Sequence, residues 1–337
     1  MELSARWYLT RERLGYIVGA VDEIARRKRI AGCYVTIPTL FKDELGYPVN
    51  LDGIRRHVRF LIDGGLVTGT GVLLAGGAAG DFSTLTFDER TAVVEVVVSE
   101  AAGRIPVAMG AQTTSTSELE RLAKTAERAG ADFIQVSPPF YFSHTEGDFH
   151  DYVKAAAEAA DVGLIIYNTF WTGYGVTTGM VEKLVDIPNV ASLKWSSPDH
   201  SFMTFEHVVN TFSNRFSIID NQLRFATSHM LGAAAIEIHI ANHWPQFAVS
   251  LWQDLQRGAY VEAQHAMMKV VQPYMALWSE MEFYTSGDGY LDKLCMELVG
   301  QASSRNRPPT RDVREKYREA TWQMLLDAGT PGLISRP

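Results

Sequence analysis

The chain has 337 residues, 46% of them hydrophobic, with a formal net charge of -8 and a pI near 5.6. That acidity argues against a nucleic-acid partner, the hydrophobic content suits one large domain or a barrel with an appendage, and no run approaches the ~20 apolar residues of a membrane span. The opening residues carry charge throughout without a signal-peptide core, so a cytoplasmic enzyme is expected; Cys33 and Cys295 form no CxxC or Cys/His cluster, so neither a disulfide nor a metal is expected.

Residues 1–30 place Leu14, Ile17, Val18, Val21 and Ile24 at helical spacing and end in a basic run suited to a helix C-terminus, which predicts an N-terminal helical extension. From Gly32 the rhythm changes. Short apolar runs at 32–37, 66–75, 105–110, 132–136, 163–167, 190–194, 216–220 and 234–240 alternate with amphipathic or loop-helix segments. These eight repeats predict an α/β fold, a closed (β/α)8 TIM barrel over 31–245, rather than an open doubly wound sheet. The glycines from Gly76 to Gly80 fit neither GxGxxG nor a P-loop, so a nucleotide fold has no support. Beyond Pro245 the pattern is helical at 247–256, 260–281, 290–299 and 310–328, with a proline-bearing loop at 305–310. Residues 246–337 are therefore expected to pack on the barrel as a helical cap or oligomer surface.

In such a barrel the chemistry sits at the C-terminal ends of the strands. The fifth run ends in Tyr167 and the sixth in Lys194, and period-two alternation puts Ile165 and Tyr167 on one face of the first and Val190, Ser192 and Lys194 on one face of the second. Two readings are open for Lys194: a strand-end amine that reaches solvent, or a buried amine, paired or neutral, suited to carbonyl attack. The turn Gly76-Gly77-Ala78-Ala79-Gly80-Asp81 after the second strand is either a plain tight turn or a set of backbone N–H groups for a carboxylate. Tyr141, after the fourth strand, either packs or reaches the mouth. In the eighth run Ile236, Ile238 and Ile240 share one face, so Ala235, Glu237 and His239 should point inward, where the carboxylate of Glu237 needs a partner: Lys194, or His239 in a structural pair.

At these residues the chain resembles the dihydrodipicolinate synthase and N-acetylneuraminate lyase family, the lysine-dependent pyruvate aldolases. The likeness spans roughly 32–300 and is carried, in order, by Ile37-Pro38-Thr39-Leu40-Phe41, Gly77-Ala78-Ala79-Gly80-Asp81, Leu85-Thr86-Phe87-Asp88-Glu89-Arg90, Gly130-Ala131-Asp132, Ser137-Pro138-Pro139-Phe140-Tyr141, Tyr167-Asn168, Pro188-Asn189-Val190 and Leu193-Lys194. The resemblance implies that Lys194 forms a Schiff base with a 2-keto acid, that Tyr167 relays a proton, that Tyr141, or Phe140 one residue earlier, enters a neighbouring subunit's site, and that the chain forms a homotetramer of two tight dimers. It implies no cofactor.

Three departures stand out. The family's paired threonines are Ala78 and Ala79, the arginine that the synthases use for the aldehyde's carboxylate falls at Thr172, and Glu237 stands where the family has an apolar residue beside the keto acid. The expected activity is a class I aldolase or lyase acting on pyruvate or a related 2-keto acid. Phe170, Trp171 and Tyr174 after the fifth strand, with Trp195 and Trp244, suggest an uncharged, apolar or aromatic aldehyde as acceptor. A Schiff-base hydro-lyase of a sugar acid and a non-catalytic keto-acid sensor are the alternatives.

Overall fold

The computed structural model describes residues 23–169, 175–198 and 203–336. Residues 23–28 are helical, and the rest of the expected N-terminal helix lies outside the described residues. Eight parallel strands then close on themselves in sequence order: β1 (Gly32–Ile37), β2 (Gly71–Ala75), β3 (Val107–Gly110), β4 (Phe133–Val136), β5 (Gly163–Tyr167), β6 (Val190–Trp195), β7 (Ser217–Asp220) and β8 (Ala235–Glu237). β8 pairs back onto β1, with Glu237 opposite Tyr34. Between them run α1 (Leu51–Asp63), α2 (Phe87–Ala101), α3 (Thr116–Ala129), α4 (Glu146–Ala159), α5 (Thr178–Leu184), α6 (Thr204–Phe212) and α7 (Phe225–Met230). This is a TIM barrel.

The strands read as unbroken apolar runs because both of their faces are covered. Inward residues, among them Tyr34, Val72, Leu74, Phe133, Ile165 and Ile219, fill the barrel interior. Their neighbours Val35, Leu73, Ile134, Leu164 and Leu193 pack outward against the helices. Helix starts are fixed locally: Thr86 and Glu89 cap α2 reciprocally, Thr145 and Asp148 do the same for α4, and Ser115 accepts the Glu118 N–H at the start of α3.

Three details differ from the expected runs. The β5–β6 register slips between Leu164 and Ile165, so that Leu164 faces Val190 but Ile165 faces Ser192. This bulge puts Val190 in the outer layer and Ala191 in the interior, not Val190 on the face of Lys194 as alternation predicts. β8 ends at Glu237, and the chain turns into a 3-10 segment, His239–Asn242, instead of continuing to residue 240. β2 likewise begins at Gly71; residues 66–70 form a turn closed by Thr70, whose hydroxyl donates to Gly65 O at 2.7 Å.

The helical region follows as α8 (Pro245–Gln256), α9 (Tyr260–Ala266), a π-helical turn (Met267–Val271), α10 (Gln272–Met281), α11 (Tyr290–Leu298) and α12 (Arg314–Ala328). Residues 310–313 stay outside the last helix. α11 is buried around most of its circumference, including Asp292 and Lys293. It is pinned to the loop after β2 by an ion pair between Lys293 Nζ and Asp81 Oδ2 at 2.6 Å, while Asn306 donates to the other Asp81 oxygen at 2.9 Å. Among the described residues, no helix is long and apolar enough to cross a membrane.

Candidate active site

Tyr167, the end of β5, and Lys194, one residue from the end of β6, are direct partners across the ladder, and Asn168 N donates to Lys194 O at 2.9 Å to hold the strands together where they open. Lys194 does not reach solvent: the residue is 4% exposed, and its ammonium lies 5.1 Å from the ring centre of Tyr34 and 4.9 Å from that of Tyr167. Two ring faces thus steady the amine at the floor of the mouth. Tyr34 is itself fixed by donating to Gln135 Oε1 at 3.0 Å. The Tyr167 hydroxyl is hydrogen-bonded to the side chains of Thr169 and Asn221, and burial, with the charges of Asp288 and Glu237, pushes its pKa up and keeps it a phenol.

Glu237 Oε1 stands 3.6 Å from Lys194 Nζ, and Glu237 Oε2 stands 3.5 Å from His239 Nε2. Although the 3-10 turn begins at His239, its ring still reaches the strand end. The other ring nitrogen, Nδ1, donates to Asp292 Oδ2 at 2.9 Å. Burial disfavours a charged His239, but Glu237 and Asp292 outweigh it and hold the pKa well above that of an ordinary imidazole. Burial also works against ionised Asp292, and His239 and Asn242 overcome it and bring its pKa down. Asp288, brought to the mouth just before α11, has one donor atom within 4.8 Å of those of His239 and Asp292, and burial pushes its pKa up.

The loop after β2 borders this group. No described acceptor takes the backbone N–H of Ala78 or Ala79. Gly77 and Gly80 shape the turn, with Gly80 N donating to Gly77 O at 3.1 Å. Gly80 O accepts from the buried Thr39 hydroxyl at 2.6 Å. Asp81 differs in role from its loop: its carboxylate is taken up by Lys293 and Asn306, so it anchors α11 instead of serving the mouth. Gly289 presses on the same turn, where an added Cβ would lie 2.5 Å from Ala79 O.

The aromatic residues divide. Trp195 alternates with Lys194 and therefore points outward; it is buried in the helix-facing layer, with its indole N–H donating to Ser197 Oγ at 3.0 Å, so it does not line the mouth. Trp244 packs on Phe247, ring centres 5.1 Å apart, against the same outer layer. Trp171, with Phe170, Thr172 and Tyr174, lies outside the described residues. Tyr141 is 85% exposed, with a positive φ of 92°, and meets Phe142 edge-on at 4.7 Å.

Sequence reasoning missed Tyr34, Asn242, Asp288 and Asp292. Asp292-Lys293 within the otherwise apolar start of α11 was the readable signal, since adjacent charges amid apolar residues call for buried partners.

A barrel that places a buried lysine one residue from the end of its sixth strand, beside the phenol that ends the fifth, has the layout of a lyase of the aldolase type. The chain belongs to the dihydrodipicolinate synthetase family, whose model matches residues 32–328. The 4-hydroxy-tetrahydrodipicolinate synthase of Methanospirillum hungatei is 28% identical over 297 residues, 87% of this chain and 98% of that protein. The synthase of the same name from Methanopyrus kandleri is 28% identical over 305 residues, 89% of this chain and 97% of that protein. Among solved structures, a monomeric dihydrodipicolinate synthase variant superposes with a TM-score of 0.79 at 25% identity, over 90% of this chain and 98% of its own. The Thermotoga maritima dihydrodipicolinate synthase superposes with a TM-score of 0.78 at 24% identity, over 90% and 99%. The family is one of class I pyruvate aldolases, in which a keto acid and an aldehyde are joined or parted.

Proposed function

We propose that the protein makes or cleaves a carbon–carbon bond through a Schiff base between Lys194 and pyruvate or a related 2-keto acid. The observation that carries this is the placement of the Lys194 amine: inside the mouth, between the rings of Tyr34 and Tyr167, 3.6 Å from Glu237. The N–H groups of Ala78 and Ala79 take the keto-acid carboxylate, a task that needs no threonine side chain. The protonated imine then serves as electron sink for the carbanion, and Tyr167 exchanges the aldehyde oxygen's proton. The hydroxyl relay lost at Ala78 and Ala79 is taken over by Glu237, the carboxylate nearest the amine.

The acceptor in this reading is an uncharged aldehyde. Glu237 and Asp288 stand at the mouth, and a carboxylated acceptor would meet them with Thr172, not arginine, in the loop after β5. Its aromatic character rests on Phe170, Trp171 and Tyr174 alone, because Trp195 and Trp244 face the outer layer. Tyr141 belongs to a neighbouring subunit's mouth within a homotetramer; its exposure and its strained backbone support that role.

Borohydride reduction in the presence of pyruvate, followed by peptide mass spectrometry, tests the core of the proposal. The keto acid's mass should appear on the peptide carrying Lys194; an adduct elsewhere, or none across a panel of 2-keto acids, overturns it. Competition between acceptors tests the rest: benzaldehyde-type aldehydes should exceed aspartate semialdehyde and glyceraldehyde in kcat/KM.

A further inference from the structure

β8 and α11 meet in a line of four ionisable side chains that leads outward from the barrel floor: Lys194, Glu237, His239 and Asp292. The separations along it are 3.6, 3.5 and 2.9 Å. Its outer end is immobilised. Asp292 is fully buried, and the oxygen not used by His239 accepts from Asn242 Nδ2 at 3.1 Å. Asn242 Nδ2 also donates to Thr36 O at 3.0 Å, which leaves Asn242 Oδ1 to accept from His57 Nε2, likewise at 3.0 Å. Asp292 is thus tied on one side to the ring of His239 and on the other to β1 and α1, and Tyr274 stacks over the ring at 6.0 Å between centres.

We infer that His239 and Asp292 are positioning residues, which hold the Glu237 side chain aimed at the lysine-bound keto acid so that it can take and return the proton on C3. The inference rests on the Schiff-base reading of Lys194. In the step it serves, the C3 proton passes to a Glu237 oxygen, the C3–H electron pair becomes the C2=C3 bond, and the C2=N pair returns to nitrogen. An enamine and a neutral carboxylic acid result; the reverse step restores both. Lys194 supplies a counter-charge to Glu237 only while its nitrogen is cationic, as ammonium or protonated imine, and loses it when the enamine forms. His239 does not: it stays outside the reacting bonds, with the groups that face it, namely Glu237, Asp288, Asp292, the neighbouring His243 and the ring of Tyr274. The apolar residue that the family pattern has in place of Glu237 would give such a dyad nothing to hold, so the charged residue and its support belong together.

Pyruvate alone in D2O reads this step without any acceptor. Methyl deuteration, followed by NMR across a pH series on the full-length protein, should proceed with the unaltered chain. Glu237→Gln should slow it by ~10²-fold or more, the worth of a positioned acid–base group. His239→Asn and Asp292→Asn should each slow it by ~10-fold or more, since the carboxylate loses the contact that aims it. Borohydride capture of pyruvate on Lys194 should persist in all three, which also shows that the barrel is intact. Exchange by His239→Asn at the original rate overturns the inference. So does a loss of capture together with exchange in both His239→Asn and Asp292→Asn, which marks the pair as purely structural. If the unaltered chain neither captures nor deuterates pyruvate, it is the Schiff-base reading that fails.

Discussion

Lys194 and Tyr167 show how position changes the surroundings of ordinary side chains. An amine on a strand buried on both faces is costly to keep charged without partners, and here the partners are two ring faces and one carboxylate. Tyr167 is different in kind. Burial and the nearby carboxylates hold it protonated, and its hydroxyl is aimed by Thr169 and Asn221, which suits the proton-donor role proposed for it. Tyr167→Phe should therefore leave capture of pyruvate on Lys194 measurable while turnover falls by ~10²-fold or more; unchanged turnover would remove the phenol from the mechanism. Both residues were legible in the sequence because each ends an apolar run, where strand periodicity says which way it points. Trp195 is the counterexample at the same strand end: the rule that turns Lys194 inward turns its neighbour outward, and adjacency in sequence is not adjacency in the mouth.

At the scale of elements, strands and their order were readable because buried parallel strands announce themselves as short apolar runs between helices. What could not be read was local irregularity that depends on pairing. The bulge that turns Val190 outward is a property of the β5–β6 ladder, and the 3-10 turn at His239 depends on what β1 and α11 place around it. The contribution of α11 was also hidden, since helical periodicity says that a helix is buried but not against which loop. Its anchor is the pair Lys293–Asp81, closed to solvent, with Asp81 at a φ of 56° that aspartate and asparagine tolerate best. Removing one partner strands the other charge: Lys293→Met should destabilise by ~3–5 kcal/mol in denaturant unfolding, and adding Asp81→Asn should recover a good part of that. Gly289→Ala should act on the same joint by another route. A methyl there meets the Ala79 carbonyl, and the φ of 75° is itself unfavourable for alanine, so the loop after β2 and the start of α11 must part. Loss of affinity for pyruvate in trapping titrations should accompany the loss of stability.

For the whole molecule, one apolar layer runs from the outer face of the barrel into the C-terminal helices, joining Val35 and Leu73 to Tyr274, Leu291 and Leu325. The buried polar chain crosses that junction at Asn242, and so do two histidines. His57 donates through Nε2 to Asn242 while its Nδ1 has no described partner, and His243 stacks on Tyr274 at 6.2 Å with its own Nδ1 unpartnered. Burial lowers the pKa of each from 6.5 to about 4. Both rings are therefore neutral in the folded chain at pH values where the unfolded chain protonates them. Their contribution to stability is fully present above pH 6.5 and is lost as the pH falls through about 4, the unfolded state binding more protons across that window. His239, whose pKa is raised, has the opposite sign: its contribution is complete below the unfolded value and does not add to the loss. Each lowered histidine is worth at most ~1.4 kcal/mol per pH unit, and two acting together over such a window remove several of the ~5–15 kcal/mol that hold a typical domain folded. The thermal midpoint should accordingly drop steeply between pH 6.5 and 4.5, and His243→Phe, which keeps a ring on Tyr274 without a titrating nitrogen, should make that drop shallower. A midpoint that stays level across the interval in the unaltered chain would mean that the two rings are already protonated in the fold, and that Asn242 is held in some other way.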